Sequence, residues 1–81
     1  MGWSNPPLTC KDVKKILGNL GFVHRNTEGS HEQWVREEPP PFRKVTVDCP
    51  KAPFSPMLIS AMSIQAGISK KEFYAALKKR R

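Results

Sequence analysis

No stretch of this 81-residue chain approaches the roughly 18 consecutive apolar residues that a membrane span needs. Its start, MGWSNPPL, also lacks the basic-then-apolar pattern of a secretory signal. Both absences point to a cytoplasmic protein with no membrane partner. Cysteine is scarce: Cys10 and Cys49 stand far apart, outside any CxxC or Cys/His ligand spacing, so neither a zinc site nor a disulfide framework is indicated. The expectation is two reduced thiols packing as small hydrophobes. No Asp/Glu ligand cluster is evident, so neither a metal nor another cofactor is expected. There is no internal repeat and no low-complexity segment. The eight prolines fall outside the periodic segments.

Acid is nearly missing from the C-terminal part. Residues 1–50 carry seven Lys/Arg against six Asp/Glu, whereas residues 51–81 carry seven Lys/Arg against the single acid Glu72. The net charge of +7 therefore comes almost wholly from the end of the chain, which closes on KKRR. A basic domain with pI near 9.9 suits a polyanion, because neutralising phosphates releases counterions. The alternative is a solvated helix end whose cations complement the helix dipole. That explains Lys78 and Lys79 but not the whole imbalance.

What is present reads as one small domain, which at this length hides only about 60% of the surface its unfolded chain exposes. Residues 1–7 form an irregular arm and residues 8–81 the domain. Thr9 with Asp12 three residues on, and Leu8 with Val13, give a capping box and a hydrophobic staple. Val13, Ile16, Leu17 and Leu20 then follow helical spacing up to Gly21, which supplies the left-handed cap. FVHRNT and HEQWVR flank Glu28-Gly29-Ser30 and predict a hairpin. Its register is open, because a two-residue and a three-residue loop differ by one position and a slip moves a strand's side chains to the other face. Which of Trp34 and Val35 is buried stays open with it. EEPPPF is a stiff connection, since its three prolines remove three backbone donors. RKVTVD alternates, with Val45 and Val47 inward and Lys44, Thr46 and Asp48 on the other face. Ser55-Pro56 starts a second helix to about Ala66, with Leu58, Ile59, Met62 and Ala66 as its stripe. Ser69 and Glu72 box a short third one carrying Phe73, Ala76 and Leu77 inward. The fold class is α+β: a helix, a three-stranded antiparallel sheet with one open face, then a helix and a short C-terminal helix.

In this order and spacing, LGNLGF, EGSH, VTV and AGISKKEF make the chain resemble the HicA toxin family, mRNA interferases of bacterial toxin–antitoxin pairs. The resemblance covers roughly residues 8–77. It implies a fold like the double-stranded-RNA-binding domain, metal-independent cleavage of mRNA, and neutralisation by a HicB-like antitoxin. It also carries the catalytic role onto His31, in the Gly-Ser-His word. Many members have a second histidine soon after the VTV strand; this chain reads VTVDCPK there, so that role is empty or filled differently. The EEPPPF connection is also longer than usual.

The chemistry expected of His31 follows from its place and its acidity. It opens a strand at the mouth of a turn, and imidazole, with an unperturbed pKa of about 6.5, accepts and releases protons near neutrality. RNA brings its own nucleophile, the ribose 2′-hydroxyl, so a base and nearby positive groups suffice. Gly29 is explained by turn geometry, and Ser30 either donates to a phosphate or stabilises the turn. Arg25, Arg36 and Lys44 are candidates for phosphate contacts along the sheet, as are Lys78, Lys79, Arg80 and Arg81 at the basic end. Each has an ordinary exposed charge as its alternative. Trp34 is either a base-stacking platform or part of the core or antitoxin interface. His24 reads as a strand residue; whether it is a second proton donor depends on the register. The rival functions are a non-catalytic RNA-binding module with His31 a bystander, and a protein-binding adaptor.

Overall fold

In the computed structural model, which describes residues 7–78, the first helix starts where its side chains dictate. Thr9 Oγ1 accepts from the Asp12 backbone N–H at 3.1 Å, and Asp12 Oδ2 accepts in return from the Thr9 N–H at 3.1 Å. Two donors that the first turn cannot satisfy internally are thereby paired. Helix α1 (Cys10–Asn19) buries Val13, Ile16 and Leu17. Gly21 follows it with φ 93°, a conformation that costs a glycine nothing. Most of the expected N-terminal arm, residues 1–6, lies outside the described residues, as do Lys79, Arg80 and Arg81.

Strands β1 (Val23–Glu28), β2 (His31–Arg36) and β3 (Arg43–Asp48) form an antiparallel sheet in the order β1-β2-β3. Glu28 pairs with His31, so the β1–β2 loop is the two residues Gly29 and Ser30, with Gly29 at φ 62°. That fixes the register. Val45 and Val47 are fully buried toward the helices, with Lys44, Thr46 and Asp48 on the opposite face. Trp34 is the partner of Val45 and packs half-buried against the core, whereas Val35 pairs with Lys44 on the other face and is itself only 3% exposed. Both residues are covered, from opposite sides of the sheet. One irregularity interrupts the ladder: β1 bulges at Arg25, between His24 and Asn26.

After β3 a single 3-10 turn (Cys49–Lys51) leads to Phe54, whose backbone N–H donates to Leu8 O at 2.8 Å and ties this connection to the start of the chain. Helix α2 (Pro56–Ala66) is capped by Ser55 and buries Ile59, Met62, Ser63 and Ala66. Ser69 and Glu72 cap α3 (Lys70–Ala75), and the closing 3-10 turn Ala76–Lys78 returns to α1, where Asn19 Nδ2 donates to Ala76 O at 2.8 Å. The core is one apolar cluster running from Leu8 through α1, β3 and α2 to Phe73 and Ala76. The fold is α+β, as expected. No helix among the described residues is long and apolar enough to cross a membrane.

The expectation of two separate reduced thiols is overturned. Cys10, the first residue of α1, and Cys49, the first residue after β3, are joined as a disulfide, with Cα atoms 5.2 Å apart. They are separated by 39 residues, and it is the packing of α1 against β3 that brings the helix start to the strand end. Spacing along the chain carries no sign of this.

Candidate active site

His31 is placed by the tight turn. With only Gly29 and Ser30 between the strands, His31 becomes the first residue of β2, paired with Glu28 on one side and Asp48 on the other. Residues paired across an antiparallel ladder share a face. His31 therefore stands on the face that carries Asp48, Thr46 and Gln33, away from the helices. Its side chain is 54% exposed and its Nε2 lies 3.4 Å from Asp48 Oδ2. Asp48 is largely covered, and its other oxygen, Oδ1, accepts from Ser30 Oγ at 2.9 Å. One step along the ladder, Thr46 Oγ1 donates to Gln33 Oε1 at 3.0 Å. The result is an exposed imidazole within ion-pair distance of an acid that is itself held by the turn.

Asp48 also lines a cleft of about 170 Å³ between β3 and α2, together with Thr46, Lys51, Leu58 and Gln65. Lys51 adds a positive charge to the lining of this cleft. Neither Asp48 nor Lys51 is marked as a site residue by the sequence. Strand alternation puts Asp48 on the open face, but only the pairing register puts it opposite His31.

The second histidine does not join the first. His24 pairs with Trp34, so it stands on the helix-facing side of the sheet. There its Nε2 lies 2.7 Å from Thr27 Oγ1 and its ring packs edge-on to Trp34 at 5.7 Å between centroids. Trp34 in turn donates its Nε1–H to Glu32 Oε1 at 3.1 Å. A half-buried indole engaged in this way is not a free stacking platform.

The basic candidates are dispersed. Lys44 shares the His31 face but pairs with Val35, four positions along β3 from Asp48, or about 13 Å at the usual rise. Arg25 sits on the bulge, where its Nη2 pairs with Glu37 Oε2 at 3.1 Å and its guanidinium lies 5.9 Å from the Phe42 ring centroid. Arg36 is turned to the protein: Nη1 donates to Leu20 O at 3.0 Å, and the guanidinium covers the Phe22 ring. Lys78 closes the turn that touches Asn19, at the far end of α1 from Cys10 and Cys49. It is thus about 15 Å, one helix length, from the end of β3 that bears Asp48.

A sequence model of one protein family, described as HicA toxin of bacterial toxin–antitoxin, matches residues 10–68. The matched segment runs from the first residue of α1 to just past α2 and includes His31 and Asp48. No curated protein and no solved structure matches the chain.

Proposed function

The chain belongs to the HicA toxin family, the toxin side of a bacterial toxin–antitoxin pair, and from that premise we propose that it is an endoribonuclease that cuts mRNA with His31 as its general base and acid. The observation that supports this reading best is the approach of His31 to Asp48. An imidazole nitrogen turned to a carboxylate keeps its proton there, which leaves the other nitrogen free to accept one. With Nε2 facing Asp48, that free nitrogen is Nδ1.

In the cleavage step His31 removes the proton of a ribose 2′-hydroxyl, and the resulting oxygen attacks the adjacent phosphorus. The bond to the 5′-oxygen breaks as that oxygen takes the proton back from His31, now acting as the acid, and the products are a 2′,3′-cyclic phosphate and a 5′-hydroxyl. Lys51, which lines the cleft with Asp48, is assigned to offsetting charge that builds on the phosphoryl oxygens, and Gly29 and Ser30 form the turn just before His31. No step requires a metal, because the substrate supplies the nucleophile. Lys44, Arg25, Lys78, Lys79, Arg80 and Arg81 are assigned to binding the strand on either side of the cut. A HicB-like antitoxin holds the toxin silent in the cytoplasm, where its substrate is found.

The test is incubation of the purified chain with single-stranded RNA in EDTA, with the Cys10–Cys49 bond intact, beside a His31→Ala variant. Cleavage by the parent alone, with cyclic phosphate ends, supports the reading. RNA binding without cleavage by either protein replaces it with the non-catalytic RNA-binding module.

A further inference from the structure

On the helix-facing side of the sheet, away from His31, a second cluster has no part in the proposed cleavage. Cys10 comes from the start of α1, Glu32 from β2 and Cys49 from the residue after β3, and all three side chains are half-buried. Their ligand atoms, two Sγ and a carboxylate oxygen, lie within 4.8 Å of one another. Glu32 Oε2 is 3.7 Å from Cys49 Sγ. Two further groups fix the carboxylate: Trp34 Nε1 donates to Oε1 at 3.1 Å, and Lys14 Nζ lies 2.9 Å from Oε2.

We propose that in the reduced chain Cys10, Cys49 and Glu32 bind one zinc-class dication. Reduction of the disulfide by a thiol takes up two electrons and two protons, and the reductant becomes a disulfide in turn. The two cysteine protons then leave as the metal binds.

Geometry, ligand softness, charge and the surrounding hydrogen bonds all favour this assignment. Zinc–sulfur bonds of about 2.3 Å and zinc–oxygen bonds of about 2.0–2.2 Å set tetrahedral ligands roughly 3.5–3.8 Å apart, and once the disulfide is broken the two sulfurs reach that spacing by rotation about their Cα–Cβ bonds. Thiolates select zinc over magnesium or calcium, which take oxygen. Charge closes as well: two thiolates and one carboxylate oppose a dication and the Lys14 ammonium, so the cluster is neutral. Finally, Trp34 orients the carboxylate in the manner of the outer hydrogen bonds that support metal ligands. In a reducing compartment a cysteine pair of this kind serves metal binding more readily than a lasting disulfide. The ion would join α1, β2 and the end of β3 at the point where the disulfide now joins two of them. A water completes the fourth position.

Cobalt(II) is the probe. Added to the fully reduced, full-length chain, it should give thiolate-to-cobalt charge transfer and intense tetrahedral d–d bands, saturating at one ion per chain and lost on adding zinc. Cys10→Ser should abolish the charge-transfer band, and Glu32→Gln should weaken binding by more than about tenfold. On the parent, one equivalent of zinc should shield both cysteines from iodoacetamide, a readout independent of how well the variants fold. The proposal is overturned if the charge-transfer band is absent, if Cys10→Ser titrates like the parent, or if both thiols alkylate at the same rate with and without zinc. The last result would leave only a dithiol–disulfide couple.

Discussion

Asp48 lies directly across the β2–β3 ladder from His31, with its Oδ2 3.4 Å from the imidazole Nε2 and its Oδ1 held by Ser30 Oγ. The pair exists because a two-residue turn and a six-residue strand end in register. An acid beside a site for RNA is otherwise a liability, since it repels the substrate's phosphates.

Replacing that acid separates its two possible effects. If Asp48 only contributes charge, Asp48→Ala should tighten RNA binding and leave turnover unchanged. If it positions His31, kcat should fall by about tenfold or more, a part of the roughly hundred- to ten-thousandfold that general acid–base catalysis contributes, while KM stays level or drops. We expect the second pattern. Steady-state kinetics on a short oligonucleotide separate the two.

The two histidines should behave differently because they stand on opposite faces. His31→Ala should abolish cleavage and growth inhibition, with a change in stability of about 0.5 kcal/mol or less, as for most exposed positions. His24→Ala should leave cleavage intact and act, if at all, on stability, since it removes the ring packed on Trp34. Melting curves beside a cleavage assay test both. A stable His31→Ala chain that still cuts RNA would transfer the chemistry to another residue.

What the sequence makes legible depends on the range of the interaction. Thr9 with Asp12, Ser55 with Pro56, and Ser69 with Glu72 act within one turn, so the residues themselves mark where each helix starts, and all three caps form. Val45 and Val47 declare their face by alternation alone. The pairing of His31 with Asp48 is different in kind, because it requires the loop length and the β3 register together. The bulge at Arg25 carries no residue signal in the form of a glycine, yet it shifts β1 by one position and so decides that His24 faces the helices. The bond between Cys10 and Cys49 is hidden for the same reason: their proximity is a product of packing. His31 itself is reached through the Gly-Ser-His word and the family resemblance, and its acid partner through the sheet.

Glu32 offers a test by pH. Burial alone would raise its pKa, but hydrogen bonds from Lys14 and Trp34 and the charges of Lys14 and His24 outweigh that effect and lower it. A carboxylate with a depressed folded-state pKa contributes stability above its unfolded value, near 4.3, and loses it as pH falls through the folded value. Lys14→Met should therefore be less stable than the parent at neutral pH, by no more than about 1 kcal/mol because Lys14 is 39% exposed, and the gap should close in acid, once pH has fallen below the folded-state value. Urea unfolding of both chains at the two pH values measures it. A gap that persists in acid would show that the lysine acts through packing of its stem.

The basic end should act on binding rather than on chemistry. Lys78 closes the chain's last described turn against the end of α1, about one helix length from the end of β3 that carries Asp48, so it is not needed to assemble the reacting groups; Lys79, Arg80 and Arg81 follow it in the sequence. What these four cations can do is neutralise phosphates of a strand that extends past the cut. Every phosphate left without its cation should lower the slope of log affinity against log salt by about 0.7 for a single strand. Deleting residues 78–81 should thus weaken RNA binding and flatten its salt dependence by a slope of up to about 3. Cleavage at saturating RNA should stay close to the parent's rate. Fluorescence anisotropy across a salt series gives the slope, and single-turnover cleavage gives the rate. An unchanged slope would mean that the basic end only solvates the helix terminus, and a collapsed single-turnover rate would mean that it reaches the site near His31.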